Sequence, residues 1–340
     1  MNNRNLAILL VILVIMAGGY WWSKGHRKAL DQTGGWVDVV PGQLSTDTVY
    51  GLSVYRGSAP DEGFTLAKQD DVWVMTTRYD AKASLNRLRT LLTNLENLEG
   101  EVRSDDPSVL ADYGLDDSTA VHVILREENG DELLHLLLGK PATGGGFIRL
   151  NGSNQALLAS RNLLSEFGIW GEGNKNPVAS TWLDLEIFKP DREKVVELVL
   201  RKGKKVIAMH KVFQEKAEGD TTETAKPRPY EWEVTQPRHF TALKTRADGI
   251  LTTVVNMRGR DVAPAPDDPE EYGLGKSADK VEVVMDDGTR HVMLFGKEAE
   301  DAQGQFYLKM DGDERYWLVS DYVRSNIFKK LSELQPDKKS

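Results

Sequence analysis

Two stretches of the chain alternate between apolar and polar residues as half-buried strands do. They are 48–56 (Thr48-Val49-Tyr50-Gly51-Leu52-Ser53-Val54-Tyr55-Arg56) and 193–201, both rich in β-branched or aromatic residues. A second strand and a tryptophan-centred strand, at Trp73 and at Trp232, should follow each. Then the period changes. Leu85, Leu88, Leu92, Leu95 and Leu98 recur at helical spacing with Arg, Asn and Glu between them, which predicts an amphipathic helix. Leu243, Ala247, Ile250, Leu251, Val254 and Met257 predict its counterpart. Asp80 is the expected N-cap of the first helix, and Gly100 and Gly259 are the expected stops. Each helix should lead into four short strands in two hairpins. Their turns fall at Asn129-Gly130 and Asn151-Gly152, and at Asp287-Gly288 and Asp311-Gly312, dipeptides that favour positive φ. Short closing helices are expected near 161–168 and 320–333. The order strands, helix, strand meander, helix predicts an α+β class with antiparallel sheets, not a doubly wound parallel fold.

The most continuous apolar run lies outside this body. From Leu6 to Trp22 no charge interrupts the chain, and the run ends on Tyr20-Trp21-Trp22 before Lys24, Arg27 and Lys28. About 17 apolar residues is the short end of what spans a bilayer as a helix. Aromatics at its end suit the headgroup region. The run is therefore expected to be a single transmembrane helix with a short cytoplasmic tip. The rival reading is a cleaved signal peptide, with Ala17 and Gly19 as small residues near the cleavage point.

The two sets of elements are copies. Trp73-Val74-Met75-Thr76 recurs as Trp232-Glu233-Val234-Thr235, and Asp112-Tyr113-Gly114-Leu115 as Glu271-Tyr272-Gly273-Leu274. Leu138-Gly139-Lys140 recurs as Phe295-Gly296-Lys297, and Phe147-Ile148-Arg149-Leu150-Asn151-Gly152 as Tyr307-Leu308-Lys309-Met310-Asp311-Gly312. Four matches in one order at a nearly constant offset indicate duplication, and the period is far too long for a solenoid unit. The expected organisation is 1–22 tip and membrane helix, 23–36 linker, 37–178 first repeat domain, 179–335 second repeat domain and 336–340 tail. A Thr/Pro-rich charged insertion at 214–229 should interrupt the second domain.

Length and composition narrow the partners. The chain has 340 residues, 40% hydrophobic and 28% charged, which suits about two globular domains. Its net charge of −9 disfavours nucleic acid. It has no cysteine, so disulfides, thiolate metal sites and a cysteine nucleophile are excluded.

The tryptophan strand, amphipathic helix, Tyr-Gly-Leu motif, Leu-Gly-Lys strand and Phe/Tyr strand before Asn/Asp-Gly together resemble the bacterial family called domain of unknown function 4340 (DUF4340). The resemblance covers roughly 37–335, twice over. It implies an extracytoplasmic component behind an N-terminal membrane helix in the bacterial inner membrane, linked to ABC-type transporters. Ser118 and Ser277 stand where the family pattern leads one to expect proline.

Candidate chemistry is sparse. His26, His122, His135, His210, His239 and His291 are scattered, with no His-Glu-x-x-His run. Neither a Gly-x-Ser-x-Gly elbow nor a phosphate loop is present. Gly144-Gly145-Gly146 precedes a strand and reads as a turn. The pairs Asp105-Asp106, Asp116-Asp117, Asp267-Asp268 and Asp286-Asp287 read as turn residues. Trp73 and Trp232 read as core anchors before ligand platforms. No catalytic, cofactor or metal residue is assigned; the residues singled out are Leu6 and Trp22 at the span ends and the repeat signature Trp73, Trp232, Tyr113, Gly114, Tyr272, Gly273, Gly139 and Gly296. The expected function is a membrane-anchored, periplasmic, non-enzymatic accessory or scaffolding protein of an ABC-type transporter or envelope complex. The alternative is a polysaccharide- or peptidoglycan-directed binding protein or hydrolase that uses a cleft between the repeats.

Overall fold

The computed structural model describes residues 35–40, 42–171, 175–214 and 228–336. The apolar run Leu6–Trp22 and most of the 214–229 insertion lie outside them. Among the described residues no helix is long and apolar enough to cross a membrane.

The first copy contributes β1 (Val37–Asp38), β2 (Gly51–Arg56), β3 (Ala59–Gln69), β4 (Val72–Met75), β5 (Ala81–Lys82), α1 (Leu85–Glu96), β6 (Glu99–Ser104), β7 (Val121–Arg126), β8 (Glu132–Ala142), β9 (Gly145–Leu150) and β10 (Ala156–Ala159). Its sheet runs in the order β1-β6-β10-β9-β8-β7-β2-β3-β4-β5. The second copy contributes β11 (Glu186–Phe188), β12 (Val195–Lys202), β13 (Lys205–Phe213), β14 (Tyr230–Gln236), β15 (Phe240–Thr241), α2 (Lys244–Val255), β16 (Met257–Arg258), β17 (Asp261–Ala263), β18 (Asp279–Met285), β19 (Arg290–Glu298), β20 (Gln305–Met310), β21 (Tyr316–Ser320) and α3 (Asp321–Ile327). Its main sheet runs β15-β14-β13-β12-β18-β19-β20-β21-β17, and β11 pairs with β16 apart from it.

Read from opposite ends, the two orders are the same. The ladder β4-β3-β2-β7-β8-β9-β10-β6 matches β14-β13-β12-β18-β19-β20-β21-β17 strand for strand. The one difference is local. Strand β6 pairs with both β1 and β10, whereas its counterpart is broken into β16, which pairs with β11, and β17, which pairs with β21. Both copies are mostly antiparallel sheet with few helices.

Each helix buries the middle of the stripe that the spacing marked, while Leu98 and Met257 lie past the helix ends and Leu243, the N-cap of α2, is exposed. Leu88, Leu91, Leu92 and Leu95 are buried on α1, and Ala247, Ile250, Leu251, Val254 and Val255 on α2. Each fully buried leucine contributes roughly 1.5–3 kcal/mol relative to an exposed one. Strand β2 alternates half-buried and buried, while Val121–Leu125 of β7 is buried on both faces. The hairpin turns fall where expected, with Gly130, Gly152, Gly288 and Gly312 all at positive φ. Only the glycine of each dipeptide takes that conformation, and the Gly130 N–H donates to the Glu127 carbonyl. This is a type I turn closed by glycine rather than a primed two-residue turn.

The expected helix ends are corrected. Asp80 does not cap α1; it sits at φ 52, and the helix begins after Ser84. Residues Ala81–Lys82 intervene as β5, and Ala83 bridges to Leu183, so the helix cannot start earlier. Gly100 and Gly259 do not stop the helices, which end at Asn97 and Asn256. A Cβ on Gly100 would lie 2.9 Å from Val39 Cγ2, and one on Gly259 2.9 Å from Trp317 Cε3, so both are packing glycines. The closing helix near 161–168 is a 3-10 turn, Leu163–Phe167, and 320–333 divides into α3 and the turn Leu331–Glu333.

The chain forms two compact units. Of the described residues, one comprises those up to Val74 and from Ser84 to Trp182, the other those from Leu183 onward with Met75–Ala83. Within the second unit Lys82 Nζ lies 3.3 Å from Asp184 Oδ2, the Asp184 N–H donates to the Lys82 carbonyl at 2.8 Å, and Arg78 Nε lies 3.9 Å from Asp261 Oδ2.

Candidate functional site

The repeat signature is a backbone clasp. Gly114 and Gly273 take φ +67 and +66, which lets the chain turn back after each tyrosine. The following Leu115 and Leu274 are buried in the core. Opposite the tyrosine carbonyls run β8 and β19, whose registers shift just past Leu138 and Phe295. A Cβ on Gly139 would stand 2.3 Å from the Tyr113 carbonyl oxygen, and one on Gly296 2.0 Å from that of Tyr272. Only glycine permits this approach. In the first copy the Lys140 N–H donates to the Tyr113 carbonyl at 2.8 Å. The tyrosine rings pack on the strand beyond, Tyr113 on Phe147 at 4.4 Å between centroids and Tyr272 on Tyr307 at 3.7 Å. The Tyr-Gly-Leu and Gly-Lys motifs are thus one contact, made twice.

Trp73 and Trp232 are both buried, as a core role requires. Their polar surroundings differ. Trp73 Nε1 is buried without a hydrogen-bond partner. Trp232 Nε1 donates to Asp248 Oδ1 at 2.9 Å, and the Tyr230 hydroxyl donates to the same oxygen at 2.7 Å. Lys244 Nζ lies 3.4 Å from Asp248 Oδ2 and Arg192 3.6 Å from Oδ1. Lys211, nearly buried, donates to the Arg192 carbonyl at 2.9 Å, and its ammonium lies 4.6 Å from the Tyr230 ring centre. Burial pushes the Asp248 carboxyl up, but hydrogen bonds from Trp232 and Tyr230 together with the Lys244 charge outweigh it and leave the group below its ordinary value. Burial lowers the Lys211 ammonium and raises the Tyr230 hydroxyl. The carboxylate oxygens are engaged from several sides, so the cluster fixes α2 to β13 and β14. Sequence reasoning missed it because Asp248 looked like one more polar residue on a helix.

The first copy holds another arrangement at a different place. Strands β7 and β8 pair His122 with Leu137 and His135 with Ile124, which puts the two imidazoles diagonally across one face. His122 Nε2 lies 2.8 Å from the Asp117 carbonyl, so it carries the proton. His122 Nδ1 must then accept, and His135 Nε2 donates to it at 3.0 Å. His135 Nδ1 is left without a proton when neutral. It faces Glu132 Oε2 at 3.4 Å and is a buried atom with no hydrogen-bond partner. Burial lowers the His135 imidazole, although Glu132 acts in the opposite sense. The turn at Asn129-Gly130 alone would put the two rings on opposite faces; a register shift between Leu125 and Arg126 brings them to the same one, and that shift has no signal in the sequence. His210 and His239 lie 3.9 and 3.2 Å from Glu233, and the His291 ring packs 4.9 Å from Phe188.

The acidic pairs are engaged in turns, as read. Asp106 and Asp268 cap 3-10 turns by accepting from Ser108 and Glu270, and Asp287 accepts from Thr289. Asp116 accepts from the Thr119 N–H at 3.1 Å. Asp117 instead meets the buried Arg149, which also donates to the Leu115 carbonyl at 3.0 Å. Among the described residues no three His, Cys, Asp or Glu converge as metal ligands would.

The model of the family described as Domain of unknown function (DUF4340) matches residues 73–276 and 232–337, two overlapping segments that start at the two signature tryptophans. The chain belongs to this family. No curated protein and no solved structure matches it. The first segment runs through the first copy into the second and the other lies within the second copy, so Gly114 and Gly139 of this DUF4340 chain fall in one match and Gly273 and Gly296 in the other.

Proposed function

We propose that this DUF4340 protein is a non-enzymatic accessory or scaffolding component of the bacterial envelope, held in the inner membrane by Leu6–Trp22 with its bulk in the periplasm and linked to an ABC-type transporter or envelope complex. One observation supports the non-catalytic part of this reading above the others. The two copies share their architecture, down to the glycine clasp, but not their polar chemistry: one holds the His122–His135 pair and the other the Asp248 cluster. Each set is bonded within its own copy, whereas catalysis needs a nucleophile or acid/base group poised by a partner in a set geometry. What is kept here in both is the means of folding. The membrane part rests on the uncharged run and its aromatic end.

The test uses the whole chain. Alkaline phosphatase fused after Ser340 should be active, and the protein should pellet with membranes after a salt wash. Purified in mild detergent, it should carry a transporter permease in fixed ratio. An inactive fusion or a soluble mature form beginning near Tyr20 overturns the membrane placement. Release of sugars or peptides from purified peptidoglycan overturns the non-enzymatic reading in favour of a hydrolase.

A further inference from the structure

In the second unit a groove of about 710 Å³ opens between the β12–β13 hairpin and the segment that follows α3. That volume is in the range of small-molecule sites. Leu200, Ile207, Pro237, Phe328 and Leu331 supply its apolar lining, with Leu200 and Phe328 buried beneath. Its polar lining is five lysines, Lys202, Lys204, Lys205, Lys329 and Lys330, together with Ser332.

Five lysines line this one groove although the chain has a net charge of −9. They come from two segments far apart in sequence, so folding brings like charges together. Among the described residues none of the five is ion-paired, although 17 ion pairs form elsewhere. Two carboxylates beside the groove are held by other donors. Asp279 accepts from the Gly203 N–H at 3.0 Å and from Arg324 at 2.7 Å, and Glu333 accepts from the Lys330 N–H at 2.7 Å. The lining itself carries five lysines and no acidic residue among the described residues, and an anion entering it gains from every lysine within a Debye length.

We infer that this groove binds an anionic amphiphile, a molecule with one alkyl or acyl chain and a phosphate or carboxylate head. The lining offers two chemistries only, an apolar floor and an ammonium rim, and this ligand class presents the same two. The chain would cover the floor, and the head would meet the lysines, whose flexible stems reach around it. A peptide fits less well. Its backbone amides need acceptors, lysine side chains only donate, and among the described residues no carboxylate or amide side chain lines the groove.

The inference is independent of the scaffolding reading and is tested separately. The purified full chain is labelled with a photoactivatable alkyl phosphate below its micelle-forming concentration, and the labelled peptides are mapped. Label should fall on 200–207 and 328–332. Dodecyl phosphate should suppress it; inorganic phosphate and dodecylphosphocholine should not. The triple variant K202E/K205E/K330E should lose labelling by roughly tenfold or more, given the worth of each lysine near an anionic head. These three side chains are exposed, so the fold should survive, and an unchanged melting curve for this variant and for K202Q/K205Q/K330Q checks that. Label elsewhere, equal labelling of the charge-reversed variant, or equal competition by the phosphocholine amphiphile overturns the proposal. Suppression by a glutamate-rich peptide but not by dodecyl phosphate replaces it with recognition of an acidic protein segment.

Discussion

At the scale of single residues, the two signature tryptophans separate burial from hydrogen bonding. Both are buried, so truncating Trp73 to alanine should cost about 3–5 kcal/mol, as deletion of a large buried aromatic does. Replacement by phenylalanine should distinguish them. Trp73→Phe removes an N–H that has no partner, whereas Trp232→Phe strips one donor from the Asp248 carboxylate. The second change should cost about 1.5–3 kcal/mol more than the first, the usual worth of a hydrogen bond to a charged group. Urea unfolding midpoints at constant slope measure this, and equal costs would show that the Asp248 bond contributes nothing.

Two titrations, of Asp248 and of His135, have the same sign. The folded Asp248 carboxyl lies below its ordinary value near 3.8. Its contribution to stability is present above that value and fades as pH falls through the folded one. Folded His135 lies below its ordinary value near 6.5, because burial favours the neutral ring. Between the two values the unfolded chain binds more protons, so stability should fall as pH drops from about 6.5. His135→Gln should flatten the stability profile between about pH 5 and 7, and Asp248→Asn should flatten the acid limb below about pH 4. A His135→Gln profile as steep as the parent's would mean that another group carries the effect. Core tryptophans were legible in the sequence from size and matched position. The Asp248 cluster was not, because it joins residues from β13, β14, α2 and the turn at Arg192–Lys194.

At the scale of elements, periodicity located the helices and glycine dipeptides located the hairpins, since both signals are local. Helix ends were misplaced because tertiary partners decide them. The pairing of Ala83 with Leu183 holds the residues that Asp80 would have led into α1. The glycines at 100 and 259 looked like stops, yet their small size serves Val39 and Trp317. The clasp yields a sharper prediction. Gly139→Ala and Gly296→Ala place a methyl within 2.3 and 2.0 Å of a backbone oxygen, which no side-chain rotation relieves. Each should destabilise by about 1–3 kcal/mol or more, the range for overpacking a fixed site. Gly249→Ala, on α2 with open space around it, should be neutral or stabilising by up to about 1 kcal/mol. Thermal unfolding of the three variants ranks them, and a Gly139→Ala protein as stable as the parent would remove the clasp from the account of the fold.

At the scale of the whole molecule, duplication was readable because the motifs recur in order, and the shared strand order gives it a physical form. The lysine groove was not readable, since its two segments lie more than a hundred residues apart and neither is charged enough alone to stand out. The assignment of Met75–Ala83 to the second unit has a consequence for how the protein is made. A ribosome delivers these nine residues about a hundred before Leu183, so part of the second unit waits for its other residues while the first is still being synthesised. Completing that unit closes a long loop, which slows assembly more than it weakens the product. A fragment starting at residue 179 should therefore fold less stably than the same residues in the full chain, and adding a peptide of residues 75–83 in trans should restore part of the loss. The two copies, alike in strand order, are expected to differ as translation products: the first can mature as it emerges, while the second begins early and finishes last.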